Sequence, residues 1–262
     1  MKPKHLESKY ADIFKYKSVA EAYGYRPPYP TQTFEILKEL LFKRSARVLD
    51  AGCGTGNIAR HLVDYADDID AVDFSENMIA FGKGLPGGNH PNIHWICSSI
   101  EEAQLNHRYD LITAGASLHW MDWDIALPKF RDLLLPDGYL AIVDDRNLPV
   151  SWEEELLEII KRYSSNREYQ DYNLIDELEK RNLFEKVGEK RTEPKAFKQS
   201  TEEYIKSFHA RNGFSRETMG GDSANAFDGE VRSLLSEHCG GKSVELQIQG
   251  EVVWGKPLCG NV

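Results

Sequence analysis

The chain has 262 residues, with 32 lysines and arginines against 42 aspartates and glutamates and a formal net charge of −10 at pH 7. This acidic excess argues against a general nucleic-acid binder, because neutralising phosphates requires a concentrated basic face. No apolar run approaches the roughly 18 residues of a membrane helix, and the amino terminus lacks the apolar stretch of a secretory signal. We expect one elaborated domain, cytoplasmic, with neither a nucleic-acid nor a membrane partner.

The cysteines and histidines show no metal-binding pattern. The four cysteines lie far apart and form no Cys-x-x-Cys pair, so neither a zinc knuckle nor a disulfide framework is predicted. His90 and His94 are four residues apart, but Pro91 and the strand-like residues after it place them off a helix. We therefore predict no metal site.

The first thirty residues are rich in tyrosine and end in a proline-rich stretch. The tyrosines are Tyr10, Tyr16, Tyr23, Tyr25 and Tyr29, and three prolines follow Gly24. Proline fixes φ and restricts the residue before it, so the end of this segment is predicted to be extended. Residues 1–30 are either a lid over a neighbouring site or a surface arm packed on the core.

A glycine-rich loop follows the first predicted strand. An amphipathic helix is predicted from Thr31 to Lys43, and a short buried strand from Ala46 to Leu49. The strand leads into the sequence DAGCGTG, after which apolar residues recur at helical spacing. Glycine allows positive φ and close backbone approach, and the beginning of a helix offers unpaired N–H groups. This arrangement is typical of a nucleotide-binding turn.

The spacing of the glycines indicates which kind of nucleotide-containing cofactor the loop would bind. A dinucleotide fingerprint, G-x-G-x-x-G, requires a third glycine where Asn57 stands. The carboxylate of Asp50, just before the first glycine, would repel a pyrophosphate but suits a ligand with an ammonium group. The stretch VLDAGCGTG resembles the first motif of class I S-adenosylmethionine-dependent methyltransferases. The resemblance implies that the loop containing Gly52, Gly54 and Gly56 wraps the methionine part of that cofactor, with Asp50 at its base; a tight turn without a ligand is the alternative.

A second predicted strand, Asp70 to Asp73, ends in another acid. Asp73 lies 23 residues beyond Asp50, near the roughly 20 residues expected for a carboxylate that binds ribose hydroxyls. We therefore predict that Asp73 contacts the ribose. Its alternative role, a helix N-cap, is better filled by Ser75.

The adenine contacts are predicted from the resemblance alone. In the family, residues after the ribose-binding acid flank the base, which implies apolar contacts from Phe74 and Met78. The third strand is predicted from Ile93 to Cys97. The resemblance assigns Ser99 to the exocyclic amine of adenine and Ile100 to the face of its ring, although the family often has an acid at the position of the serine.

The fourth predicted strand, Tyr109 to Ala116, is followed by Ser-Leu-His-Trp. Ligands of open α/β sheets bind outside the carboxyl ends of strands, where the small Ala114, Gly115 and Ala116 leave room. Of these we predict that Ala114 contacts the cofactor. The family's S-x-H-W sequence places its histidine near the transferred methyl group. His119 is therefore either a group that orients a nucleophile or takes its proton, or a structural histidine. We interpret Trp120 as a wall of the acceptor pocket.

The remaining elements complete an α/β fold. The predicted elements are a helix at 124–135, a strand at 140–143, two helices within 151–183, strands at 184–192 and 244–254, and a helix at 201–211. We predict a Rossmann-like, seven-stranded, mostly parallel sheet with one antiparallel strand. Within a single domain, residues 1–30 form the lid segment, 31–145 the cofactor-binding core, 146–215 a helical substrate cap and 216–262 a C-terminal strand region.

The expected activity is methyl transfer from S-adenosylmethionine to a small-molecule acceptor by in-line attack. The RPxYP sequence of the lead-in resembles the branch that includes trans-aconitate methyltransferase. The resemblance implies that Arg26 faces the cofactor's carboxylate or a substrate anion and that Tyr10, Tyr16 or Tyr23 lines the mouth. A carboxylate acceptor needs no base and would be held by an arginine such as Arg26, Arg146 or Arg211.

Other acceptors and other functions stay open. A phenol, an amine or an acidic carbon would give His119 more importance. The alternatives to O-methylation of a carboxylate or hydroxyl are N- or C-methylation of a small metabolite and a non-catalytic protein that binds S-adenosylmethionine. An NAD-linked oxidoreductase is opposed by Asn57.

Overall fold

A sheet of eight strands forms the centre of the molecule in the computed structural model, which describes residues 6–41, 45–170 and 172–258. In chain order the strands are β1 (Arg47–Ala51), β2 (Asp68–Asp73), β3 (Ile93–Cys97), β4 (Tyr109–Gly115), β5 (Leu134–Asn147), β6 (Phe184–Arg191), β7 (Lys195–Ser200) and β8 (Ser243–Pro257). Their spatial order is β3-β2-β1-β4-β5-β8-β6, with β7 also paired to β8. The first five strands are parallel, and β8 runs antiparallel to its neighbours. The predicted fold class is confirmed.

The helices cover both faces of this sheet. They are α1 (Lys17–Tyr23), α2 (Thr31–Glu39), α3 (Ala59–Leu62), α4 (Glu76–Lys83), α5 (Trp123–Leu133), α6 (Glu153–Tyr163), α7 (Leu174–Lys180), α8 (Thr201–Phe208), α9 (Arg216–Met219) and α10 (Gly221–Cys239), with 3₁₀ helices at Ser8–Lys15 and Leu118–Trp120. The predicted end of the second helix, Lys43, lies outside the described residues. No described helix is both long enough and apolar enough to cross a bilayer.

Two apolar clusters sandwich the parallel strands. Val48 of β1 packs in the cluster with α2 and α3, whereas Leu49 packs in the cluster with α5 and α7. Successive side chains of a strand point to opposite faces, so a strand covered on both sides is apolar throughout. This double burial holds the carboxyl end of β1, and the glycine loop after it, in one place.

The edge beside β8 contains one strand more than predicted. β6 pairs with residues 251–257 of β8, and β7 pairs with residues 243–248. Pro194 lies between them and cannot donate a ladder hydrogen bond, so the edge is divided there. β7 is mostly exposed and polar. Its sequence therefore lacks the alternation of apolar and polar residues from which a strand could be predicted.

The cap is built differently from the prediction. A third apolar cluster joins α6, α8 and α10 to the first half of β8, whereas α7 contributes Leu178 to the core beneath the sheet. The region predicted as a C-terminal strand segment, 216–262, contains the 19-residue helix α10. Gly221 and Gly229 lower its helix propensity, yet its apolar residues do recur at helical spacing: Ala224, Phe227, Val231, Leu234 and Leu235.

Candidate active site

The glycine loop between β1 and α3 adopts the backbone conformation that glycine permits. Gly52 and Gly54 have φ values of 66° and 54°, in the left-handed region that L side chains rarely adopt. A Cβ on Gly52 would lie 2.6 Å from the Cβ of Ser117, and one on Gly54 would lie 3.2 Å from the Cε of Met78. Both glycines line the main cavity. The loop is therefore a cradle that any side chain would fill.

Gly56 has a packing role, in contrast to its predicted role in cofactor binding. Its φ is 71°, and a Cβ there would lie 2.4 Å from Cη2 of Trp95. Gly56 lines neither the main cavity nor the smaller one beside it. The absence of a side chain at Gly56 thus leaves the space in which Trp95 packs against the loop.

Asp50 holds the loop to its neighbours. Its Oδ2 accepts a hydrogen bond from the N–H of Ala59 at 3.0 Å, and its Oδ1 accepts one from the Thr113 hydroxyl at 2.9 Å. Only 1% of the residue is exposed. Burial raises the pKa of Asp50 to about 6, although both hydrogen bonds act against that rise. Asp50 also lines the smaller cavity.

Asp73 joins the glycine loop to the end of β2. Its carboxylate accepts hydrogen bonds from the N–H groups of Gly54 and Ser75, each at 2.8 Å. Burial raises its pKa, and these two N–H groups oppose the rise. The hydroxyl of Ser75 accepts from the N–H of Met78 and caps α4, so the predicted assignment of the cap to Ser75 is confirmed.

The main cavity lies at the carboxyl ends of the parallel strands and has a volume of about 630 Å³. This volume falls within the roughly 300–1,000 Å³ of small-molecule pockets. Of the predicted site residues it brings together Tyr23, Gly52, Gly54, Asp73, Phe74, Met78, Ser99, Ile100 and Trp120.

The amino-terminal 3₁₀ helix covers this cavity. Phe14 and Lys15 line it, and the ring of Phe14 meets Trp120 edge to face with 6.0 Å between centroids. The carbonyl of Phe14 accepts from the Ser75 hydroxyl at 2.5 Å, and that of Lys15 accepts from the Asn77 amide at 2.8 Å. The segment is thereby anchored at Ser75 and Asn77, at the beginning of α4.

A smaller cavity of about 190 Å³ adjoins the main one, sharing Tyr23, Gly52 and Gly115 with it. Arg26 lines it, donates to the Tyr23 hydroxyl at 3.4 Å and has its Cζ 5.0 Å from the Tyr23 ring centroid. Asp145, which the sequence analysis did not select, lines it as well. Burial raises the pKa of Asp145, and the charges of Arg26 and Arg211 lower it.

Arg211, predicted to hold the acceptor, lines neither cavity and is a second guanidinium close to Arg26. Its Nε is buried and has no hydrogen-bond partner among the described residues. Its Cζ lies 4.6 Å from the ring centroid of Phe208. Burial and the nearby charge of Arg26 lower its pKa, whereas Tyr204 and Asp145 raise it. Among the described residues, Asp145 and Arg211 each affect the pKa of the other through their charges.

Arg146 and Ala114 lie outside both cavities, in contrast to their predicted roles. Arg146 is exposed and donates twice to the Oε1 of Gln249, at 3.1 and 2.6 Å. It follows Asp145 on β5, and consecutive strand residues face opposite sides. Ala114 is fully buried in the core, and the next two residues, Gly115 and Ala116, line the main cavity instead.

Two other predicted residues are also displaced from the cavities. Tyr16 is 39% exposed just before α1 and lines neither of them. His119 is half-buried in the 3₁₀ helix, with its ring centroid 4.6 Å from that of Trp120, and lines neither cavity. Its assignment as a catalytic base stays a prediction without support from the cavity geometry.

Several lining residues had only weak sequence signals. Ser117 donates to the carbonyl of Ala51 at 2.7 Å and fixes the end of β4 against β1. Ala116 has a φ of 47°, which is unusual for a residue with a side chain. Both belong to the small-residue stretch before the predicted histidine, but neither residue type by itself indicates a binding function.

The charged groups around the main cavity are mostly acidic. Five carboxylates and one ammonium group line it: Asp12, Asp73, Glu101, Glu102, Asp122 and Lys15. Such a lining attracts a cation and disfavours a pyrophosphate. The described residues contain no group of three or more His, Cys, Asp or Glu side chains placed to hold a metal ion.

The fold and the site together define a Rossmann-like α/β protein, with a glycine cradle after β1 and a carboxylate after β2. Similarity to known proteins indicates a more specific family within that fold class. A family model described as a methyltransferase domain matches residues 48–138. This match and the similar proteins described below support a class I S-adenosylmethionine-dependent methyltransferase.

The similar proteins resemble this chain over part of their length. Malonyl-acyl-carrier-protein O-methyltransferase of Acetivibrio thermocellus is 37% identical over 97 residues, covering 36% of this chain and 34% of that protein. An uncharacterised methyltransferase of Mycobacterium bovis is 32% identical over 139 residues, covering 52% and 54%. The chain thus spans between a third and about half of the length of these curated relatives.

Solved structures share the fold over most of the chain. A protein described as a candidate type II methyltransferase from Anaeromyxobacter dehalogenans superimposes with a TM-score of 0.63 and 20% identity, over 90% of this chain and 99% of that one. The YcgJ protein of Bacillus subtilis gives a TM-score of 0.55 and 14% identity, over 86% and 98%. At these identities the likeness concerns the fold alone.

Proposed function

We propose that this chain binds S-adenosylmethionine in the main cavity and transfers its methyl group to an oxygen of a small acceptor, with a carboxylate as the preferred nucleophile. The observation that carries the proposal is the junction of the two cavities at Gly52 and Gly115. An acidic cavity suited to a cationic donor there meets a pocket that contains Arg26, with Arg211 nearby.

The residues of the main cavity fit the cofactor. The glycine cradle has no room for a side chain, as expected where backbone approaches a ligand closely. Asp73 would hold the ribose hydroxyls, Phe74, Met78 and Ile100 the adenine, and Arg26 the cofactor's carboxylate. When bound, the cofactor supplies a methyl group on a positively charged sulfur that is already activated for displacement.

The arginines support an anionic acceptor. The buried, unpartnered Nε of Arg211 would be satisfied by a carboxylate, and arginine is the side chain best suited to bind one. A carboxylate is ionised at neutral pH and needs no base, which agrees with the position of His119 outside both cavities. The name of one relative, a malonyl-acyl-carrier-protein O-methyltransferase, supports the same chemistry.

The contribution of the protein to the reaction is positional. Arg211 would hold the acceptor, and the loop at Gly52 would hold the donor, so that the acceptor oxygen lies in line with the bond to be broken. Alignment of this kind can be worth roughly 7–11 kcal/mol. Phe14 and Trp120, in contact above the cavity, would exclude water from the reacting groups.

A second acceptor class is favoured by Asp145. Its carboxylate lines the smaller cavity and accepts no side-chain hydrogen bond from another described residue. A buried carboxylate of raised pKa can take a proton from an attacking amine or hydroxyl. N-methylation is therefore the alternative activity, ahead of C-methylation or cofactor binding without turnover.

The test compares two arginine variants. Calorimetry with S-adenosylmethionine establishes cofactor binding, and label transfer from methyl-labelled cofactor is then measured across panels of carboxylic acids, alcohols and amines. Arg211→Met should lower kcat/KM for carboxylates about tenfold to a hundredfold, as expected for a hydrogen bond to a charged group worth roughly 1.5–3 kcal/mol. Arg146→Met, which removes an exposed arginine bonded to Gln249, should change it less than about twofold.

Each outcome has a distinct meaning. Failure of the wild type to bind S-adenosylmethionine would overturn the whole proposal. Binding with turnover of amines but not of carboxylates would replace O-methylation by N-methylation. Equal losses in the two variants would show that Arg211 does not hold the acceptor.

A further inference from the structure

Lys129 on α5 binds the turn that follows β3. Its Nζ donates to the carbonyls of Ala103 at 2.6 Å, Ile100 at 2.8 Å and Glu101 at 3.3 Å. An ammonium group has three N–H donors, so these three carbonyls use them all. Burial lowers the pKa of Lys129, and the charge of Glu101 acts against that shift.

These contacts determine the direction of a neighbouring N–H group. In a planar trans peptide the C=O and the following N–H point to opposite sides. Because the carbonyl of Ile100 faces Lys129, the N–H of Glu101 faces away from it. Ile100 and Glu101 both line the main cavity, and the backbone N–H of Glu101 has no acceptor among the described residues.

A second contact anchors the same turn to the same helix. The carboxylate of Glu101 accepts from the N–H of Asp122, the N-cap residue of α5, at 2.7 Å. The turn at 99–103 is therefore held at two points, by the Lys129 ammonium group and by the backbone N–H of Asp122. Without Lys129 three carbonyls would lose their partner, and each unpaired polar group favours a rearrangement that restores hydrogen bonding to water.

We infer that Lys129 is a positioning residue for base recognition: it orients the turn so that the Glu101 N–H meets an acceptor nitrogen on the edge of adenine. This inference rests on the proposed binding of S-adenosylmethionine. The backbone donor selects adenine, whose N1 is an acceptor, over hypoxanthine, whose N1 carries a hydrogen. Two donors facing each other leave both unsatisfied.

The test measures this discrimination by binding, without turnover. Calorimetry gives the affinities of S-adenosylhomocysteine and of S-inosylhomocysteine, in which hypoxanthine replaces adenine, for the wild type and three variants. The wild type should prefer the adenine compound about tenfold or more. In Lys129→Met the affinity for the adenine compound should fall about tenfold and the preference should shrink to about threefold or less.

Two variants separate positioning from general damage. Lys129→Arg retains donors and charge and should keep the preference within about threefold of the wild-type value. Arg131→Met alters the same helix, but among the described residues its guanidinium bonds to the exposed Asp132 alone, so both affinities should be unchanged within about twofold. Lys129→Gln replaces the methionine variant if that one does not fold, with an intermediate loss expected.

The outcomes distinguish the two proposals. A wild type that binds neither compound would overturn the proposed function and this inference with it. A wild type that prefers adenine, with Lys129→Met or Lys129→Gln retaining the whole preference, would overturn only the role of Lys129. A parallel loss of both affinities at an unchanged ratio would also overturn it, because that result indicates a general effect on the cavity.

Discussion

Replacing Gly56 with alanine separates the packing role of the third glycine from cofactor binding. At this position φ is 71°, and the added Cβ would lie 2.4 Å from Cη2 of Trp95. The same change at Gly54 is the matched control, because its φ of 54° is comparable but its Cβ would meet only the flexible end of Met78, at 3.2 Å. Gly54 lines the main cavity and Gly56 does not.

The two variants should therefore have different defects: Gly56→Ala mainly in stability and Gly54→Ala mainly in ligand binding. A left-handed conformation costs an alanine ~1–2 kcal/mol, and an extra methyl group in a packed site costs typically ~1–3 kcal/mol. Gly56→Ala should thus lower the free energy of unfolding by about 2–5 kcal/mol, while the folded protein binds S-adenosylhomocysteine within about threefold of the wild type. Gly54→Ala should lose only ~1–2 kcal/mol but bind the compound at least about tenfold more weakly, because its methyl group occupies the cradle.

Urea unfolding and calorimetry measure these two quantities. A double variant, Gly56→Ala with Trp95→Phe, tests the cause directly, since the smaller ring removes the close contact but leaves the backbone strain. It should recover much of the ~1–3 kcal/mol assigned to packing. The reasoning is refuted if Gly54→Ala is less stable than Gly56→Ala, or if the two substitutions in the double variant are additive.

Two more predictions concern titratable groups. In the folded chain Asp50 has a pKa of about 6, above the ~3.9 of an unfolded aspartate, so its ionisation removes stability as pH rises from about 4 to 6. Asparagine keeps the acceptor for Ala59, and its amide N–H can donate to the Thr113 hydroxyl, which then accepts in place of donating. Asp50→Asn should therefore lose roughly 1–3 kcal/mol less than the wild type across that interval in urea titrations, whereas parallel pH profiles would contradict the assignment. His119→Ala should reduce turnover of a carboxylate acceptor by less than about threefold at saturating cofactor; a loss of the roughly 10²–10⁴-fold typical of a general base would contradict it.

The parts of the site that could be predicted from sequence are those with a local cause. An apolar strand followed by alternating glycines specifies its own loop conformation, so Gly52 and Gly54 were placed correctly in the cavity wall. Ser75 caps α4 because a serine hydroxyl reaches an N–H three residues on. The carboxylate of Asp73 reaches the loop because the carboxyl ends of β1 and β2 are adjacent in the sheet.

The residues that could not be predicted depend on long-range pairing. Which of Asp145 and Arg146 faces the cavity depends on the pairing of β5 with β4 and β8, and a shift of one residue reverses the faces. The same dependence decides that Gly115 and Ala116 line the main cavity, whereas Ala114 packs in the core. Arg211 was selected for its charge, but its burial beside Arg26 depends on the packing of the cap, which no local pattern specifies.

The charge of the cavity has opposite effects on binding and on chemistry. The sulfonium of the donor loses its positive charge on methyl transfer, so carboxylates close to the sulfur would stabilise the bound donor more than the transition state and slow the reaction. Glu101, Glu102 and Asp122 belong to the turn after β3 and the beginning of α5, at the predicted adenine end, whereas Arg26 lies beside the glycine loop. Because of this separation, the three carboxylates would attract a cationic donor from a distance and would attract the neutral product less. They would also lie too far from the sulfur to oppose the loss of its charge.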